Sequence, residues 1–189
     1  KEGLQAWLDD EPGFTLATWQ QRPESLGYVH ARSNDAFAKP IIQPNYLAHD
    51  QDQRVLLAGI KLSRKLMNTT ALAPYFDHVV YPGTHIQIHH EFLDIARQRS
   101  TTVYHLMGTC RMGPKTDPTA VVDDQLRVHG IKNLRVIDAS IMPMVTNGNT
   151  NSPTIMIAEK LSDDIRGYTA LPRIEADFWQ HPDFETSQR

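Results

Sequence analysis

A single cysteine, Cys110, is all the thiol that the 189 residues carry, so no internal disulfide can form and nothing points to an oxidising compartment. A cytoplasmic protein is expected, with peripheral attachment to a membrane as the variant. No membrane span is expected, because the chain has no run of about eighteen apolar residues. Charge of one sign is lacking too: 19 Lys and Arg face 22 Asp and Glu, a net −3 with both signs interspersed. Such a surface has no basic stripe to neutralise phosphates, which removes nucleic acid from the expected partners. Nor is there a Gly-x-Gly-x-x-Gly turn, the backbone cradle for a dinucleotide pyrophosphate. The first residues, Lys1-Glu2-Gly3, have neither a methionine nor the layout of a signal peptide, so the sequence is expected to start within a longer protein or after processing.

What is present suffices for a globular core: an apolar share of 40% over this length is ordinary for folded material. Leu4, Trp7 and Leu8 recur at helical spacing between Glu2 and Asp9, and Glu11-Pro12-Gly13 stops the pattern. Phe14 to Trp19 reads as a strand, and Gly27 to Arg32 as a second strand with one wet face, followed by a turn at Asn34-Asp35. Pro40 to Pro44 is expected to be extended, since each proline biases its predecessor away from helix. Asp50 to Met67 carries the strongest periodicity, with Val55, Leu56, Ile60, Leu62, Leu66 and Met67 interleaved with basic residues. It should be an amphipathic helix ended by Asn68-Thr69-Thr70, with Lys61, Arg64 and Lys65 on a solvated face near the negative end of its dipole. His30 and His49 read as surface or strand-face residues.

Leu126-Arg127-Val128 and Leu134 to Ile137 read as a strand pair around a turn, with Ala120-Val121-Val122 as a short strand-like piece before them. The second strand ends at Asp138, where open α/β sheets meet nucleotides; a cap or turn acid is the other reading. Ser152 is expected to cap a last helix with Pro153 in its first turn and Gly167 at its end. A helix starting there aims unpaired amides at whatever the preceding Asn147-Gly148-Asn149-Thr150-Asn151 loop contacts.

The chemistry centres on His105, in Tyr104-His105-Leu106-Met107-Gly108-Thr109-Cys110-Arg111-Met112-Gly113. Two glycines five residues apart allow backbone to approach a flat ligand, and the histidine ahead of them reads as a catalytic base. Its ordinary pKa of about 6.5 suits it to accept a proton near neutrality. A satisfied core or loop histidine is the other reading. Cys110, beside Gly108 and Thr109, reads as a small packed residue rather than a reactive thiol. His85, His89 and Glu91 support a metal-dependent hydrolase as an alternative. Pro82-Gly83 interrupts regular structure just before them, and no metal is expected.

Three motifs in order carry a resemblance: Tyr-His-x-x-Gly-Thr-Cys-x-Met-Gly at 104–113, Leu134-Arg135-Val136-Ile137-Asp138-Ala139-Ser140-Ile141-Met142-Pro143, and Asn-x-Asn-x-Pro-Thr-Ile-Met-Ile from Asn149. With the flanking stretches Arg22 to Tyr28 and Pro40 to Leu47, they make the chain resemble, up to about Tyr168, the C-terminal region of the glucose-methanol-choline flavin oxidoreductases. Asp138 to Pro143 and Ile165-Arg166-Gly167 look like its choline-dehydrogenase-like branch. The resemblance implies FAD as cofactor, a small-molecule alcohol as substrate, His105 as the base before the flavin and Asn149 as the second catalytic residue, orienting rather than titrating. It further implies that peptide units near Asn149 and Thr150 approach the flavin carbonyl, with Asn151 and Pro153 in the same contact. Val103 would flank the reactive edge, and Asp138 with Ala139 would lie near the ribityl-phosphate. Glu91 to Gln98 would be a helix leading into the histidine motif, and no metal is implied.

The expected fold is α+β: a mostly antiparallel sheet of a substrate domain covered by helices, plus a C-terminal strand and helix belonging to a flavin-binding domain. Residues 1–125 would be the substrate-domain portion, 126–168 the return toward the flavin domain, and 169–189 a tail outside the resemblance. Without a pyrophosphate cradle the chain is expected to be the C-terminal part of a longer enzyme, to bind flavin weakly or not at all alone, and to be inactive alone. The last helix would then expose an apolar face to its missing N-terminal flavin domain or to another copy in a homo-oligomer. A non-catalytic binding module on the same scaffold is the other alternative.

Overall fold

Apolar residues recurring every three or four positions make 50–67 a helix over its whole predicted span, α1 (Asp50–Met67), in the computed structural model. The structure describes residues 12–177 together with 179, 180, 182, 183 and 186, so the helix expected between Glu2 and Asp9 lies outside the described residues. His49 starts α1 by accepting the Gln51 amide on Nδ1 at 3.2 Å, a capping role its sequence reading as a surface residue did not include. Asp50 and Asp52 in the first turn and Arg64 and Lys65 in the last complement the helix dipole. A second helix, α2 (His89–Arg99), covers the expected Glu91–Gln98 segment. Glu91 folds its carboxylate back over the start, where Oε2 accepts the amides of Gln87 and Ile88, both at 3.3 Å. The two helices share a core of Leu57, Phe92 and Leu93, flanked by Ile60 and Ile86.

Arg64 corrects the expectation of a solvated basic face. Its guanidinium lies 4.7 Å from the Phe92 ring centroid and donates to the carbonyls of Ile86 at 2.6 Å, Gly83 at 2.8 Å and Pro82 at 2.9 Å. It therefore clamps the 82–86 loop onto α1, because those carbonyls have no ladder of their own to satisfy them.

The fold is α+β with antiparallel pairing, as expected, and its sheet is small among the described residues. Strands β1 (Tyr28–His30) and β2 (Ile41–Gln43) pair with Tyr28 opposite Gln43, Val29 opposite Ile42 and His30 opposite Ile41. All six residues are exposed, so the expected single wet face of 27–32 is corrected to two. Phe14 to Trp19 is irregular rather than a strand. Thr18 of this segment lies against α1 instead, since a Cβ on Gly59 would come 2.9 Å from Thr18 Cβ, and no strand among the described residues pairs with it.

A second core holds Val122, Leu126, Ile141 and Leu161, with Met112, Val128, Val136, Ile137 and Ile157 packed around it. The expected strand pair at 126–137 reduces to one bridge, Arg127 with Arg135, between backbone bonds from Val128 to Leu134 at 3.0 Å and from Val136 to Leu126 at 3.1 Å. The last helix, α3 (Asn151–Arg166), contributes Leu161 and Ile157 to this core and ends at Gly167 with φ 73°. On its outer side Ile155, Met156 and Ile165 are more than half exposed. No helix among the described residues is long and apolar enough to cross a membrane.

Asp52, only 2% exposed, joins α1 to the chain ahead of it. Its oxygens accept the Glu24 amide at 2.9 Å, the Ser25 amide at 2.9 Å and the Ser25 hydroxyl at 2.5 Å. Burial pushes the carboxyl upward, but the bonds from Ser25, Glu24 and Gln20 outweigh it and hold the group below the usual value of 3.8. A depressed carboxylate stabilises the fold at pH above its unfolded value, and that contribution is lost as pH falls through the lower folded value. Asp52→Asn should therefore lower the denaturation midpoint at neutral pH, and the gap from the parent should close at pH below about 4. An unchanged gap across that range would show that ionisation of Asp52 has no part in stability.

Candidate functional site

The three sequence motifs meet at one edge of the second core. Backbone bonds run from Cys110 N to Ser140 O at 3.0 Å and from Met112 N to Ile141 O at 2.7 Å, so the histidine motif lies along the 138–142 segment. Gly113 N and Val121 N continue the pairing, to Val122 O and Arg111 O, both at 2.9 Å. Gly108 sits at φ 84°, where a side chain would be strained, and an added Cβ would come 3.3 Å from Met142 O. Cys110 is half-buried, in keeping with a packed residue. Tyr104, directly before His105, holds φ 61° without being glycine, a conformation that concentrates at functional sites.

His105 and the asparagine loop meet through Thr150. Nδ1 of His105 lies 3.1 Å from Thr150 Oγ1, across 45 positions of sequence. His105 is half-buried and Thr150 is 7% exposed. This contact corrects the expected Ser152 cap. Thr150 is the residue that precedes α3, but its hydroxyl turns toward His105 and no side chain caps the helix. Its carbonyl accepts both the amide and the hydroxyl of Thr154, at 3.0 and 2.6 Å.

Asn149 and Asn151, on either side of Thr150, are exposed, Pro153 is half-buried, and Val103 is 50% exposed. Asp138 accepts the Ser140 amide at 2.8 Å and its hydroxyl at 2.5 Å, capping the 3-10 turn Ala139–Ile141. Of the two readings of Asp138, the turn cap is thus the observed contact. Ala139 behind it is half-buried.

Sequence reasoning missed two supports. The hydroxyl of Thr150 is one, since the resemblance points only to its peptide unit. The other is the segment before β1: Arg22 Nη2 donates to Asn147 Oδ1, and Gln21 Nε2 donates to Thr146 O at 3.3 Å. Both tie the loop that leads to Asn149 to a segment more than a hundred residues earlier, a pairing that no local pattern signals.

The metal-hydrolase constellation does not assemble among the described residues, where no three His, Cys, Asp or Glu side chains gather as an ion needs. Glu91 is occupied at the start of α2 instead. At the other site, α3 begins without a side-chain cap beside the exposed Asn149 and Asn151, and the start of a helix is the end that favours negative charge. The carbonyl edge of a flavin would fit such a helix start, and the sequence has no Gly-x-Gly-x-x-Gly turn for its pyrophosphate.

Residues 23–158 match the family model described as GMC oxidoreductase. The chain is 47% identical over 169 residues to an oxygen-dependent choline dehydrogenase of Pseudomonas syringae pv. tomato, covering 89% of this chain and 29% of that protein. It is 44% identical over 167 residues to one of Stenotrophomonas maltophilia, covering 88% and 30%. The chain thus spans about 30% of the length of these curated relatives. Among solved structures, a pyridoxine 4-oxidase from Mesorbium loti superposes with a TM-score of 0.72 at 33% identity, covering 79% of this chain and 29% of that one. A formate oxidase of Aspergillus oryzae, described with its FAD, gives 0.68 at 31% identity, covering 75% and 25%.

Proposed function

The chain belongs to the GMC oxidoreductase family, and from that footing we propose that it is the substrate-domain portion of a longer FAD-dependent alcohol oxidoreductase acting on a CH-OH donor. Its likeness to proteins named choline dehydrogenases makes choline the alcohol to test first. In the proposed division, residues 1–125 belong to the substrate domain and 126–168 return toward a flavin domain that the longer protein supplies. The exposed Ile155, Met156 and Ile165 are proposed to face that domain, or another copy of the chain, and the location proposed is the cytoplasm.

The observation that carries the reading is the contact between His105 and Thr150, which joins the histidine motif to the asparagine loop. His105 accepts the hydroxyl proton of the alcohol and, once charged, stabilises the oxygen it has deprotonated. Asn149 offers an amide donor and a carbonyl acceptor, and so fixes the alcohol oxygen beside the imidazole without titrating. The peptide units of Asn149, Thr150 and Asn151, with Pro153, would hold the cofactor's carbonyl edge, Val103 its reactive edge, and Asp138 with Ala139 the region of its ribityl chain. The uncapped start of α3 favours negative charge there. Bound FAD supplies the hydride acceptor.

Mixing the full-length protein with choline in the absence of oxygen should bleach its visible flavin absorption. In Asn149→Ala the bleaching should be slowed by about tenfold to a hundredfold, chiefly through misplacement of the alcohol. Absence of bleaching with choline and with other primary alcohols would sink the proposal.

A further inference from the structure

Thr150 is the buried residue of the asparagine loop, and its hydroxyl has an assignment that the start of α3 does not explain. A threonine ahead of a helix can turn its oxygen to the second or third amide of that helix, but the third position here is Pro153, which has no amide proton, and Thr150 itself has helical φ −78° and ψ −6°, which leaves its hydroxyl available for another partner. Here the oxygen lies 3.1 Å from His105 Nδ1 instead, and the helix is left without a side-chain cap. The oxygen is also well held. Thr150 is 7% exposed, its β-branched side chain has few rotamers, and its carbonyl is gripped by both the amide and the hydroxyl of Thr154.

The direction of the bond decides what it does. A neutral imidazole carries one proton: if Thr150 donated to Nδ1, that proton would sit on Nε2, and His105 would have no lone pair left for the alcohol. If Nδ1 donates and Oγ1 accepts, Nε2 is free. Only the second arrangement is compatible with a base. It also persists when Nε2 takes the proton, since the imidazolium still donates through Nδ1, and does so more strongly because it is charged.

We infer that Thr150 is the positioning residue for His105: its hydroxyl oxygen accepts the Nδ1 proton, fixes ring orientation and tautomer, and presents Nε2 as the nitrogen that takes the alcohol's proton. The inference rests on the reading of His105 as the base, and its test separates the two.

In the full-length protein with its FAD, Thr150→Val keeps the shape of the side chain and removes the acceptor. Flavin content should be unchanged, and the rate of flavin reduction by alcohol should fall about tenfold to a hundredfold. The acidic limb of the pH profile should move to lower pH, because the imidazolium has lost its partner. Thr150→Ser, which restores the oxygen, should return to within a few-fold of the parent with the limb back in place. Thr150→Ala, with no branch to misfit, should behave as Thr150→Val does and serves if the valine variant does not fold. Parental rates in Thr150→Val or Thr150→Ala, alongside a severe loss in His105→Ala, would overturn the role of Thr150 and leave the base assignment standing. Equal slowing in the serine and valine variants with an unmoved limb would also overturn it, as a packing effect. Parental rates in His105→Ala would instead remove the reading on which the inference rests.

Discussion

His105→Ala in the full-length protein should slow reduction of the flavin by alcohol by about two to four orders of magnitude while the flavin stays bound, the loss expected when a general base is removed. Binding should survive because the segment around His105 is held by other groups. Cys110 and Met112 secure it through backbone bonds to Ser140 and Ile141, and Gly113 through one to Val122. None of these involves the imidazole, whose side-chain bond among the described residues runs to Thr150. The deficit should therefore appear in the rate at saturating alcohol and shrink at high pH, where hydroxide competes as a base. Unchanged reduction kinetics would take His105 out of the mechanism, and loss of flavin together with activity would make the residue structural.

How much of this was legible in the sequence depended on the distance over which each feature is decided. The three-to-four-residue periodicity is enough to bound α1, whereas local pattern leaves Asp138 open between a nucleotide contact and a turn cap, of which the cap is the bond observed. Gly167 ended α3 for the same local reason. The motifs could mark His105 and the asparagine loop separately, but not the atom that joins them, because Ser152-Pro153 satisfies the local rules for a helix start while Thr150 answers to a residue 45 positions away. Arg64 follows the same rule: its spacing fits a wet helix face, yet the carbonyls of Pro82, Gly83 and Ile86 lie over that face. Phe14–Trp19 had the composition of a strand and failed as one, since its neighbour is α1 at Gly59 and not another strand.

Phe92→Ala should destabilise the protein by about 4 kcal/mol, the range for removing a buried phenylalanine from a core that cannot close around the gap. Phe92 is 2% exposed and forms the middle of the α1–α2 core with Leu57 and Leu93. Its ring is also the floor beneath the Arg64 guanidinium, 4.7 Å from the ring centroid. Emptying it removes apolar contact and a cation–π partner together, and lets water reach the three carbonyls that Arg64 holds. The two losses share one site, so Phe92→Ala and Arg64→Ala should add to less than their separate costs. Chemistry should be spared, because the residues around His105 rest on the other core, of Val122, Leu126, Ile141 and Leu161. Denaturant titration would then give a lowered midpoint while the rate of flavin reduction per folded molecule stays near that of the parent. A loss under about 1 kcal/mol would mean that the α1–α2 core relaxes around the gap, and a parallel fall in rate would mean that the two cores are coupled rather than independent supports.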